Sequence, residues 1–343
     1  FEVEVAEWLG RLDVIISDKV GCFDPDELKD EQKKQLTEKN GKYYGLPYYD
    51  VIAMNLYNVK HFEKAGFDVP FTPETQPKTW EELTEMLLAI KNKGICKYPF
   101  ALSLGAAERP RSHWLRIVYS LGGEFINEEG KLVFYKEPNR SIIIKALEMI
   151  HDWLYEYEII DPAMLEYDHE DYDKFLAGEA SIVFQWSAMS QGITKEEAAP
   201  DVYGNVFEML VPNFTDPKYR MYGVCSAFAI SSYSENKELA AKVLEVLFSE
   251  DVQFNGAFGA PAYGYLPRKS HFEKAMKQGL IPELLGEIIL EAKKYYNKAL
   301  EKHFVLVNWD QRGAGKSYSS KIANSRLTIE QFVSDAHEVV EYL

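Results

Sequence analysis

The stretch Gly41-Lys-Tyr-Tyr-Gly-Leu-Pro-Tyr-Tyr-Asp-Val-Ile-Ala-Met-Asn-Leu-Tyr-Asn58 constrains the chain most. Asn40-Gly41 is a turn dipeptide. Two aromatic pairs follow, Tyr43-Tyr44 and Tyr48-Tyr49. The largely apolar run 51–56 then has the length and composition of a buried strand. A helix start is expected at Asn58, with His61, Phe62 and Ala65 spaced for one buried face. Aromatics and an acid, Asp50, thus sit just before a central strand. In open α/β sheets ligands bind at strand ends. The strand is expected to leave one lobe, enter a second, and flank a ligand cleft.

A chain of 343 residues exceeds one ordinary core, so two domains are expected. The net charge of −16 argues against nucleic acid and against an anionic membrane surface. Aromatics make up 14% of the chain, including 22 Tyr and 6 Trp. They serve either packing or a sugar or aromatic ligand, since Tyr and Trp offer a flat apolar face and a polar tip. Cys22, Cys96 and Cys225 form no C-x-x-C pair and no Cys/His cluster, so no zinc site is expected. Cys96 and Cys225 read as buried free thiols, and one disulfide stays open as an alternative. No apolar run reaches the roughly 18 residues of a spanning helix, and no signal peptide is evident.

Strand-like and helical stretches alternate along the chain, which predicts α/β layering. Thr79 and Glu82 form a capping box for a helix in which Trp80 packs. A strand is expected over 98–104, a loop over 105–114 and a helix over 115–121. A hairpin follows at 125–134, then a helix at 141–157 and another at 171–176. Further strands are expected at 180–184, 202–211 and 222–230. Further helices are expected at 236–248, around Val252, at 282–300 and at 329–342.

Several segments occur in one order. They are Gly41–Pro47 with Leu56-Tyr-Asn58, Pro77-Lys-Thr-Trp-Glu-Glu-Leu83, and Gly122-Gly123 before a hairpin. Next come Phe175-Leu-Ala-Gly-Glu-Ala-Ser-Ile-Val-Phe-Gln-Trp186 and Tyr222-Gly-Val-Cys-Ser-Ala-Phe-Ala-Ile230. Asn236-Lys-Glu-Leu-Ala-Ala241 and Arg326-Leu-Thr-Ile-Glu-Gln331 complete the series. It resembles the extracellular solute-binding proteins of carbohydrate ABC transporters, the maltose-binding-protein group, over nearly the whole chain.

The resemblance implies an α/β, two-lobe periplasmic-binding-protein fold with a hinge and an interlobe cleft. Lobe one would hold 1–50 plus 229–283, and lobe two 51–228 plus 284–343. A complete member would begin upstream of Phe1, so part of lobe one is expected to be missing. The implied function is a non-catalytic, monomeric receptor, periplasmic or extracellular and with or without a lipid anchor. Its partners would be a sugar and the membrane permease, with no cofactor or metal.

In the family, the Trp that Trp186 resembles stacks on a sugar ring, where a rigid indole covers the apolar C–H face. Tyr48, Tyr49 and Asp50 lie at the lobe crossing, where a carboxylate accepts sugar hydroxyls or, alternatively, makes a hinge bond. Arg109 and Arg111, with His113 and Trp114 beside them, fall where the maltose-binding protein has an acid and an aromatic. They fork onto hydroxyls, clamp an acidic or phosphorylated sugar, or pair with surface acids. Tyr263 and Tyr265 lie in a Gly-rich aromatic loop placed by the family at the cleft rim. Trp309 is a further cleft candidate; the Asp310–Ser317 run after it lacks the first Gly of a phosphate loop. The competing class is a glycoside-processing enzyme, which needs two facing carboxylates.

Overall fold

The computed structural model describes residues 46–294, apart from 106–107, 128, 130, 188, 194–198, 229, 231–233 and 257–267. Its axis is strand β1 (Leu46–Asn58), 13 residues long. The strand outruns the expected 51–56 because its two halves pair with different neighbours. In chain order the other strands are β2 (Phe100–Ala101), β3 (Ile182–Trp186), β4 (Val206–Leu210) and β5 (Gly223–Phe228). Residues 46–52 of β1 run antiparallel to β5. Residues 53–58 run antiparallel to β3 on one edge and β4 on the other. β2 lies parallel to β3 at the edge. The changeover falls between adjacent residues: Ile52 opposes Gly223 and Ala53 opposes Trp186. Two bonds stitch it, Ser187 N–H to Ile52 C=O (2.8 Å) and Ala53 N–H to Tyr222 C=O (2.7 Å).

Eight helices complete the described layers: α1 (Val59–Ala65), α2 (Trp80–Asn92), α3 (Glu108–Ser120), α4 (Asn139–Tyr155), α5 (Glu170–Leu176), α6 (Lys237–Leu247), α7 (Lys269–Lys277) and α8 (Glu283–Lys293). Caps follow the sequence. Asn58 Oδ1 accepts from Lys60 N–H (3.1 Å), and α1 stops at Gly66, whose φ of +94° suits glycine. Thr79 Oγ1 accepts from Glu82 N–H (3.1 Å), while the Glu82 carboxylate reaches back to Lys78 N–H (2.6 Å).

Three expectations change. The strand expected over 98–104 is regular only at Phe100–Ala101. Beyond it the chain leaves β3 and bonds elsewhere: Leu104 N–H goes to Met164 C=O (2.8 Å) and Gly105 N–H to Tyr167 C=O (2.9 Å). Helix α3 begins at Glu108, inside the expected loop. Pro110 reads as a breaker, but in a first helical turn its missing N–H costs nothing. The segment near Val252 is a single π-type turn, Asp251–Gly256.

Side chains alternate across the sheet. Ala53 and Tyr57 of β1, with Phe184 and Met209, face α2, α3 and α4 in a large core rich in aromatics. Trp80 sits at its centre, 1% exposed, with its ring 5.5 Å from Trp153 and 5.7 Å from Phe184. Its Nε1–H donates to Ser120 Oγ (2.7 Å), so it is a packing residue. On the opposite face Met54 and Leu210 meet Phe254, Phe272, Ala275, Leu285 and Ile288. That core draws on Phe272 and Ala275 of α7 together with Leu285 and Ile288 of α8.

Candidate ligand-binding site

Trp186 ends β3, half-buried, directly across from Ala53 at the changeover. Two residues earlier on the same face is Phe184. Helix α3 crosses this face and presents His113 and Arg116, one turn apart and both buried. The His113 ring meets Phe184 edge-on at 5.5 Å. The Arg116 guanidinium lies 4.6 Å from the Phe184 ring centre and 5.6 Å from that of Trp186. Its Nη1–H donates to Met54 C=O (3.0 Å). Tyr222, just before β5, lies 5.6 Å from Trp186 and stacks on Tyr119 (6.2 Å, 14° between planes). Trp186 is therefore backed by a cation and flanked by an aromatic pair, an arrangement that fixes the ring's orientation.

A fully buried carboxylate, Asp171, anchors the other end of α3. Its N–H donates to Ser103 Oγ (3.0 Å). Its oxygens accept from His113 Nε2 (3.1 Å), Ser103 N–H (3.4 Å) and Tyr172 N–H (2.8 Å). Arg109 Nη1 lies 3.3 Å from Oδ1. Burial works to raise the Asp171 pKa. The His113 bond, the Arg109 charge and the Ser103 N–H outweigh it and hold the carboxyl below its usual range. Burial lowers His113 to about 4 despite the opposing pull of Asp171. Burial likewise brings Arg116 down to about 9. At neutral pH the set is an ionised Asp171, a neutral His113 and a charged Arg116.

The structure separates the residues singled out from sequence. Trp186 lies at the changeover of β1. The backbones of Tyr48, Tyr49 and Asp50 lie in β1, with Tyr49 opposite Ser226 and Asp50 opposite Cys225. Arg109 is engaged by Asp171 and donates Nε–H to His169 Nδ1 (2.9 Å). Arg111 is exposed on α3. Trp114 packs edge-on against Phe125 at 5.4 Å, in the core behind α3. Tyr263, Tyr265 and Trp309 lie outside the described residues. Arg116, Asn55 and Tyr222 join the site unforeseen. Had α3 been started at residue 108, the spacing of 113, 116 and 120 would have pointed His113 and Arg116 at the sheet. Among the described residues no cluster of three His, Cys, Asp or Glu side chains is arranged to hold a metal. No helix among them is long and apolar enough to cross a membrane.

The described residues form an α/β periplasmic-binding-protein fold: a mixed sheet threaded by one shared strand and covered by helices. The structure matches a solute-binding protein of an ABC transporter from Thermotoga lettingae, bound with alpha-D-tagatose, at a TM-score of 0.70. That match is 26% identical and covers 86% of this chain and 71% of the other. Residues 6–254 match the bacterial extracellular solute-binding proteins, and the chain belongs to that family. A putative binding protein of Brucella abortus is 30% identical over 213 residues, 62% of this chain and 48% of that protein. The chain thus spans about half the length of the curated relatives it matches. A stretch of 50 residues, 15% of the chain, is 44% identical to a probable aminopeptidase of Bacillus subtilis and covers 16% of it.

Proposed function

We propose that this chain is the receptor of a carbohydrate importer, binding a sugar without transforming it and delivering it to an ABC transporter permease in the membrane. Membership of the solute-binding family supports the receptor role and a periplasmic or extracellular location. The likeness to a tagatose-bound protein supports the ligand class. One observation in this chain carries the reading. Trp186 is half-exposed at the changeover of β1, its indole fixed between Arg116 and Tyr222. A rigid indole there covers a sugar's apolar face at little entropic cost. Tyr48, Tyr49 and Asp50, whose backbones lie in the half of β1 paired with β5, would add ligand contacts, as would Tyr263, Tyr265 and Trp309. The lobes would meet near Asp50–Val51, two residues before the ladders change at Ile52–Ala53. A lipid anchor outside this chain would hold the receptor near its permease.

An enzyme finds less support. Asp171, the buried acid bonded to His113, has both oxygens occupied by structural partners. An acidic ligand held by Arg109 also finds less support, since that guanidinium already faces Asp171. The test is a fluorescence and thermal-shift titration against neutral and acidic sugars, with the ligand recovered by mass. Saturable binding with the sugar intact is expected, and Trp186→Ala should weaken it at least about tenfold, roughly 1.4 kcal/mol. Hydrolysed sugar, or full affinity in Trp186→Ala, overturns the reading.

A further inference from the structure

Three fully buried side chains around Phe184 carry polar atoms that bond to nothing. Both atoms of the Asn55 carboxamide, His113 Nδ1 and Arg116 Nε are sealed from solvent and unpartnered. They converge. Asn55 opposes Phe184 in the β1–β3 ladder and shares a sheet face with Ala53 and Tyr57. The His113 ring abuts Phe184. Arg116 lies over the same ring and bonds the carbonyl of Met54, next in chain to Asn55.

Buried polar groups left without partners are costly, and folded proteins satisfy nearly all of them. Their chemistry says what would satisfy these. An ionised Asp171 only accepts, so His113 Nε2 carries the ring proton and Nδ1 is a bare acceptor. Asn55 adds one acceptor and one donor group, and Arg116 Nε one donor. The set is thus balanced between donors and acceptors. A carboxylate or phosphate would satisfy the donors but oppose the lone pairs of Asn55 Oδ1 and His113 Nδ1. A water gives two hydrogen bonds and takes two, and can serve the whole set; a ligand hydroxyl takes two and gives one, meeting both donors and one of the two acceptors.

We propose that Asn55, His113 and Arg116 form a binding site for a neutral hydroxyl oxygen behind Trp186, held by water in the free protein and accessible to a ligand hydroxyl in the complex. The ligand half rests on the receptor reading above. It deepens that reading: the bare acceptors Asn55 Oδ1 and His113 Nδ1, set beside Arg116, favour a polyhydroxylated neutral ligand over an anionic one.

Crystal structures of the full chain test this, free and soaked with D-tagatose or D-galacturonate as neutral and acidic probes. The expected result is an oxygen within about 3 Å of the Asn55 amide and of His113 Nδ1 or Arg116 Nε. Asn55→Leu should lose that oxygen. Affinity distinguishes its source: a ligand hydroxyl makes Asn55→Leu bind tagatose about tenfold more weakly, whereas a change under about twofold means a retained water and overturns the ligand half. A dry site, mutual pairing of the three side chains, or a galacturonate carboxylate seated there overturns the proposal. Sugar bound over a dry site would sink this inference and leave the receptor reading standing. An occupied site in a protein that binds no sugar would do the reverse.

Discussion

Helix α3 carries a guanidinium near each end, and the two regions solve the same electrostatic problem differently. At the N-terminal turn Arg109, with 22% of its side chain exposed, meets the Asp171 carboxylate at 3.3 Å, and Asp171 is tied in turn to β2's exit, α5 and His113. Seven residues on, Arg116 is buried, and the described residues offer it no carboxylate within 4.0 Å. Its charge is carried by two aromatic faces and one carbonyl. A carboxylate neutralises a guanidinium and uses up its donors, which makes a clip. Rings soften the charge but accept no hydrogen bonds, which leaves donors over for something else. The first region therefore reads as structure and the second as recognition.

Removing the clip should have the largest effect. Asp171→Ala leaves Arg109, His113 and Ser103 facing an uncompensated gap, and about 3–5 kcal/mol of stability should be lost. A urea midpoint measures this, and a loss under about 1 kcal/mol would erase the distinction between the two ends.

Next comes pH. The folded pKa of His113 is depressed from 6.5 to about 4, so the unfolded chain binds its proton first. Stability from this group is complete above pH 6.5 and drains away as pH falls toward 4, by up to about 3 kcal/mol. Asp171, held low in the fold, adds loss in the same direction at more acidic pH. His113→Gln should flatten the slope between pH 6.5 and 4, and an unchanged slope would assign it to other groups.

The smallest effect sharpens the other side. Arg116→Lys keeps the charge but loses the planar stack on Phe184 and Trp186, at a cost of about 1–2 kcal/mol. Near-ultraviolet circular dichroism should show the Trp186 ring released, and an unaltered spectrum would mean that Tyr222 alone holds it.

Much of the fold was legible because local chemistry and tertiary structure agree. Asn58 and Thr79 cap the helices that their types favour, and Trp80 packs where the capping box placed it. Boundaries slipped where long-range partners decide. Phe100–Ala101 is a strand only as far as it follows β3, and α3 starts at Glu108, inside the stretch expected as a loop. The site was half legible. Trp186 stood out because a polar-flanked Trp ends an apolar run. Arg109 and Arg111 stood out by charge alone, and charge does not reveal which cation already has a carboxylate. Asn55 sat unremarked inside an apolar strand, since one polar residue does not disturb a period of two.

Strand β1 leaves no slack between its two ladders, because Ile52 belongs to one and Ala53 to the other. A strand clamped in this way is a torsion bar. Any twist applied through β5 passes along a single covalent backbone to the rung that Ala53 shares with Trp186. A spectroscopic reporter on that rung would therefore register events at residues 46–52 as rotation, with no lever arm or loop between to absorb the signal.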